Sequence, residues 1–185
     1  MKVTPLSIPD VLLIEPHVFE DSRGFFFESF REDIFKKETL LDVSFVQDNH
    51  SKSSQGVLRG LHYQLPPYAQ GKLTRVIQGE VLDIAVDIRE SSPTCGQYIA
   101  EILSSDNKRQ LYIPEGFVHG FLTLSQTSEF LYKTTDFYHP ESERCILWND
   151  PTLNIKWPKH FRIELSTKDL LGQSFKSSPL FSDKL

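Results

Sequence analysis

Leu73-Thr-Arg-Val-Ile-Gln-Gly-Glu-Val-Leu-Asp-Ile-Ala-Val-Asp-Ile88 reads as a hairpin, two strands joined by a turn at Gln78-Gly79. Side chains alternate along a strand, so Leu82, Ile84, Val86 and Ile88 share one face, and Val81, Asp83, Ala85 and Asp87 share the other. Carboxylates on an otherwise apolar inner face want cations, which Lys72 or Arg75 could supply; a pairing of Asp83 with Lys72 is the first to look for. Outward from this stretch, short runs of the same kind recur at 44–50, 59–64, 97–103, 110–113, 117–121 and 128–135. The 11 prolines and 9 glycines punctuate them, and the 14 phenylalanines suit β structure. The pattern predicts about ten to twelve short strands. One or two short helices join them: Ile34, Phe35 and Glu38 have helical spacing within 31–40, and 166–171 makes a single turn. An all-β fold is expected, a double-sheet barrel of the jelly-roll kind, with residues 1–185 as one domain.

The flanks are less regular. Val11–Ile14 and Val18-Phe19, broken by Pro9 and Pro16, read as edge strands that could pair with a neighbouring subunit's sheet. After a turn at Asp21–Gly24, a strand places Phe25, Phe27 and Ser29 on one face and Phe26, Glu28 and Phe30 on the other. Glu28 is then either an exposed charge on an edge strand or an acceptor at the mouth of an aromatic-lined site. Beyond about residue 172 the Ser-rich tail is expected to be peripheral and frayed.

A net charge of -5 and a pI near 5.7 leave no broad basic footprint for nucleic acid or an anionic membrane, although a locally basic pocket could take a small anionic ligand. Cys95 and Cys145 lack CxxC spacing and read as free structural thiols in a reducing compartment. The N-terminus has no apolar leader, and no apolar run approaches about 18 residues, so a cytoplasmic protein is expected.

Chemistry concentrates just before the opening stretch, in Arg59-Gly-Leu-His-Tyr-Gln-Leu-Pro-Pro-Tyr-Ala-Gln-Gly-Lys72. Histidine is the side chain whose ordinary titration lies near neutrality, so His62 could move a proton. Lys72 could hold negative charge as it develops on a substrate oxygen. The plainer reading is a buried strand with a satisfied histidine and two solvated cations. Strict alternation puts Arg59 and His62 on opposite faces, so one site for both requires a bulge or bend at Gly60. Gln47-Asp48-Asn49 is a solvated strand end or a row that reads a ligand, and the residues alone favour the former. His119 precedes Gly120, where a backbone can come close to another group, and Tyr132 shares a face with Phe130. His17, His50, His139 and His160 suggest no role.

Taken with Ile113-Pro-Glu-Gly-Phe-Val-His-Gly-Phe121 and Trp148-Asn-Asp-Pro151, the 59–72 stretch resembles the dTDP-4-dehydrorhamnose 3,5-epimerase family. The resemblance runs from Arg23-Gly-Phe-Phe26 to Ser166-Thr-Lys-Asp169. It implies a cupin-type jelly roll, a homodimer, and a cofactor-independent isomerase that epimerises dTDP-4-dehydro-6-deoxy-D-glucose at C3 and C5. By the same resemblance His62 is the general base, Asp169 the carboxylate that orients it, Tyr132 the proton donor on the opposite ring face, and Lys72 the cation near the C4 oxygen. Arg23, Glu28, Gln47, Asp48, Asn49, Arg59, His119, Glu143 and Lys168 match substrate-contacting positions, and Tyr138 matches a ring that stacks on thymine. Metal-holding cupins carry a His-x-His pair, whereas Tyr63 and Gln64 follow His62, so no metal is expected. The alternatives are a metal-dependent oxygenase, a non-catalytic binding module and an epimerase of one centre only.

Overall fold

In the computed structural model, which describes residues 1–182, the stretch 73–88 is not a hairpin. Its first strand, β7 (Lys72–Gln78), lies between β10 (Gln110–Ile113) and β12 (Thr127–Thr134), and its second, β8 (Glu80–Asp87), lies between β11 (Phe117–Thr123) and β9 (Tyr98–Ser104). The turn at Gln78-Gly79, with Gly79 at φ +76°, carries the chain from one sheet to the other. Strand β8 is buried on both faces, which fits a central place in a covered sheet better than one arm of a ribbon.

The first sheet has six strands in the order β1 (Lys2–Pro5), β2 (Leu12–Glu15), β10, β7, β12 and β5 (Gln47–Ser54). The second has five, β13 (Glu143–Cys145), β6 (Leu58–Gln64), β11, β8 and β9. All of these pairings are antiparallel. The inner faces meet in one core, where Val81, Ala85, Phe117 and Phe121 pack with Val76, Leu111, Ile113 and Phe130. This is the expected double-sheet jelly roll.

Both outer faces are covered as well. Helix α1 (Glu32–Thr39) lays Phe35 on Leu12, Ile14, Leu73 and Tyr112 of the six-stranded sheet. Acidic Glu32 and Asp33 in its first turn and Lys36 and Lys37 in its last suit the helix dipole. On the five-stranded sheet, Ile84, Val86, Ile88 and Val118 are covered by Ile146, Leu153, Trp157, Phe175, Leu180 and Phe181. The tail is therefore neither frayed nor peripheral as far as residue 182. Gln173 exchanges backbone hydrogen bonds with Cys145 and Leu147, Tyr63 donates to the carbonyl of Pro179, and Phe181 pairs with Ile88 and Glu90. Burial of its three large apolar side chains explains why a Ser-rich segment stays ordered.

Three local expectations are corrected. Strand β2 is interior, because β1 takes the edge beside it. The strand expected through residue 30 ends at Phe26: β3 (Phe19–Asp21) and β4 (Gly24–Phe26) form a separate two-stranded sheet with Phe19, Phe25 and Phe26 exposed, and Glu28 lies beyond it. Strand β5 runs past residue 50, where the sequence pattern ended it, through Ser54, because its low-propensity polar residues are paired along the whole length of β12.

The bulge required at Gly60 is present. On β6 and β11, His62 faces His119 and Arg59 faces Phe121, so Gly60 and Leu61 oppose Gly120 alone. Gly60 takes φ +122°, and a Cβ there would lie 2.6 Å from the Gly120 Cα. The extra residue brings Arg59 and His62 to the same cavity.

Candidate active site

That cavity, of about 540 Å³, is built from both sheets, α2 (Thr167–Leu170) and the residues that lead into it. Ser51, Lys72 and Tyr132 come from the six-stranded sheet, Arg59, His62, Gln64, His119 and Glu143 from the five-stranded one, and Ser166, Lys168 and Asp169 from the α2 segment.

Asp169 reaches His62 because α2 is capped in a particular way. Ser166 accepts a hydrogen bond from the Asp169 backbone N–H and donates one to Oδ2, which leaves Oδ1 2.6 Å from His62 Nε2. Burial pushes the Asp169 carboxyl up, but His62 and Ser166 outweigh it and hold the group below the usual aspartate range. The imidazole therefore has an ionised partner. Beside it, buried Lys72 donates to the backbone carbonyl of His62 at 3.3 Å. Loss of hydration pulls the Lys72 ammonium down to about 8, against the opposing pull of Glu143 and Asp83.

Asp83 does not pair directly with Lys72. Its Oδ1 lies 2.6 Å from His119 Nε2, and its Oδ2 accepts from the Thr74 hydroxyl at 2.7 Å. Asp87 is likewise met by Arg89 and not by Arg75. Tyr132, on β12 beside Thr74, packs against the Phe130 cluster. Burial, reinforced by the Glu143 charge, raises its phenol, so the hydroxyl keeps its proton at neutral pH.

The rim is charged. Glu143 accepts from the Tyr138 hydroxyl at 2.5 Å and from the Lys168 ammonium. Burial pushes the Glu143 carboxyl up, but these two partners hold it below its ordinary range. Arg59 donates to Ser53 and to the carbonyl of Lys52, which fixes the guanidinium. Gln64 is a buried latch: its amide nitrogen donates to the carbonyls of Tyr68 and Phe137, and its oxygen accepts from the His139 backbone, so it holds the loop that carries Tyr138.

Of the residues expected at the site, nine line this cavity: His62, Asp169, Tyr132, Lys72, Arg59, His119, Tyr138, Glu143 and Lys168. Gln47 and Asn49 line a small recess that shares Gln70, Tyr132 and Tyr138 with it. Asp48 faces elsewhere and is held by Lys133 at 2.8 Å. Glu28 lies 3.3 Å from Arg31 and borders a separate hollow, and Arg23 is bound to Asp21 on the exposed β3–β4 turn. Sequence reasoning missed Ser51, whose buried hydroxyl has no hydrogen-bond partner among the described residues. Alternation from Gln47 through Asn49 would have pointed to it. It also missed Gln64, which carries no signal of its own in the sequence.

The comparisons with known proteins agree with this architecture. A sequence model of the dTDP-4-dehydrorhamnose 3,5-epimerase family matches residues 5–177. The dTDP-4-dehydrorhamnose 3,5-epimerase of Pseudomonas aeruginosa is 59% identical over 181 residues, covering 98% of this chain and 99% of that protein. The corresponding protein of Shigella flexneri is 58% identical over 181 residues, with the same coverage. The crystal structure of a dTDP-6-deoxy-D-glucose-3,5-epimerase from Legionella pneumophila Philadelphia 1, in complex with dTDP-4-keto-L-rhamnose, matches with a TM-score of 0.95 at 46% identity, covering 100% of this chain and 99% of that one. Likeness that extends through both sheets, the α2 segment and most of the ordered tail places the chain in the dTDP-4-dehydrorhamnose 3,5-epimerase family.

Proposed function

We propose that this protein converts dTDP-4-dehydro-6-deoxy-D-glucose to dTDP-4-dehydro-L-rhamnose by inverting C3 and C5. The observation that carries the reading is the convergence on one cavity of an imidazole with an ionised carboxylate behind it, a buried ammonium and a protonated phenol. A proton next to a ketone is removable because the electron pair left behind moves onto the carbonyl oxygen. His62 takes the proton from carbon, Lys72 stabilises the enolate oxygen at C4, and Tyr132 returns a proton to the other face of that carbon. Asp169 stabilises the imidazolium formed in between. Two rounds change two configurations and no oxidation level. Arg59 and Lys168 suit the diphosphate, and the Tyr138 ring suits the thymine.

Each inversion replaces a carbon-bound hydrogen with one that has exchanged with solvent. In deuterated water, NMR of the product is expected to show deuterium at both C3 and C5. Uptake at one carbon would mean a single-centre epimerase, and no uptake would sink the catalytic reading.

The proposal extends to a homodimer. Arg23 and Glu28 lie outside their own chain's cavity, next to exposed Phe19, Phe25 and Phe26. Packing the β3–β4 sheet on a second copy would remove these rings from water and could bring both residues to the partner's cavity mouth. Light scattering should then give the mass of two 21.3 kDa chains, and a monomeric mass at micromolar concentration would overturn this. The unpaired Cys95 and Cys145 support a reducing, cytoplasmic setting.

A further inference from the structure

Cys145 has no part in the chemistry above, yet strand register puts it directly opposite His62 on β13 and β6. A ligand nitrogen of His62, a carboxylate oxygen of Asp169 and the Cys145 sulfur lie within 4.8 Å of one another, the one such group among the described residues. A second observation points to a ligand. Asp169 is 3% exposed, and although its Oδ1 is only 2.6 Å from His62 Nε2, neither of these buried atoms has an aligned hydrogen bond. A nitrogen and an oxygen that can ligate a cation thus lie side by side, with a thiol within reach of both. Nitrogen, oxygen and sulfur in one triangle suit a borderline, thiol-seeking cation such as Zn²⁺, and a single carboxylate oxygen is too few for Mg²⁺ or Ca²⁺.

We propose that His62, Asp169 and Cys145 form an inhibitory site for a thiol-seeking divalent cation, with the fourth position open to the substrate cavity. This rests on the reading of His62 as the base only for its inhibitory effect. Metal bonds of about 2 Å to nitrogen and oxygen need the His62–Asp169 contact to open to roughly 3.3 Å, a small side-chain rotation. As the metal–sulfur bond forms, the Cys145 proton leaves to solvent; with Nε2 on the metal the ring's own proton sits on Nδ1, so the imidazole keeps no free lone pair to take a substrate proton.

The test uses the whole protein, titrated with Zn²⁺ against Mg²⁺ as control, and Co²⁺ as a spectroscopic probe. Wild type is expected to lose epimerase activity with Zn²⁺, to recover it with EDTA, and to show a thiolate-to-cobalt absorption band. Cys145→Ala should keep metal-free activity, lose the band and need at least ~10-fold more Zn²⁺ for half inhibition. Cys145→Ser, closer in volume, guards against a folding artefact. Absence of the band in wild type, or equal Zn²⁺ sensitivity in wild type and Cys145→Ala, overturns the site. A Cys145-dependent band with undiminished turnover overturns the inhibitory effect and the role of His62 as base, while the metal site itself stands.

Discussion

His62→Ala is expected to lower kcat by ~10²–10⁴, the usual contribution of one positioned acid or base, with a much smaller change in KM. The loss should fall on the chemical step because the groups that would hold the nucleotide, Arg59, Tyr138 and Lys168, do not hydrogen-bond the His62 side chain. Its backbone carbonyl, which takes the Lys72 hydrogen bond, survives the substitution, so the ammonium keeps that anchor. The imidazole borders an open cavity, so truncating it leaves no sealed void. Steady-state kinetics with a thermal midpoint as folding control decides the matter. A folded variant turning over near the wild-type rate would remove His62 from the mechanism.

Lys72→Met is expected to cost ~10²–10³ in kcat, the range found when a single group stabilising an oxyanion is removed. It should also change two pH profiles in opposite senses. With its pKa pulled from 10.5 to about 8 by burial, Lys72 loses its charge on the alkaline side of neutrality. Turnover that needs the ammonium should therefore fall as pH rises through about 8. Stability behaves differently. Below about pH 8 the lysine is protonated in both states and its burial is costly. Between about 8 and 10.5 the folded protein has shed the proton and the unfolded chain has not, so stability gains from this group as pH rises. In Lys72→Met both dependences should flatten. Urea midpoints and kcat measured from pH 7 to 10 would show it, and an unchanged alkaline limb of kcat in the variant would assign that limb to another group.

Strand positions were more legible in the sequence than strand partners. Leu82, Ile84, Val86 and Ile88 do share one face of β8, yet alternation says nothing about which strand lies alongside, and so the 73–88 hairpin was a misreading. The pleat also showed that Arg59 and His62 could meet only through a distortion at Gly60, and the bulge is there. It could not name the partner of Asp83, because His119 is 36 residues away and arrives through the pairing of β11 with β8. A buried carboxylate announces a need for a partner and leaves the partner's address open. Strand β5 was underestimated because Ser, Lys, Asn and Asp have low strand propensity; its alternating polar face, Gln47, Asn49 and Ser51, supplies lining of the cavity and its recess. The tail was misjudged on composition: Phe175, Leu180 and Phe181 outweigh the serines between them.

The carboxylate behind His62 comes from residue 169, far along the chain from either sheet's central strands. During synthesis, therefore, the strands of both sheets can pair before α2 has left the ribosome. A nascent chain at that stage would hold a cavity with its imidazole unassisted. The stretch made after these strands would bring Asp169 to His62 and, through Phe175, Leu180 and Phe181, close the outer face of the sheet that carries His62, so that the His62–Asp169 contact and the closing of that face arrive together.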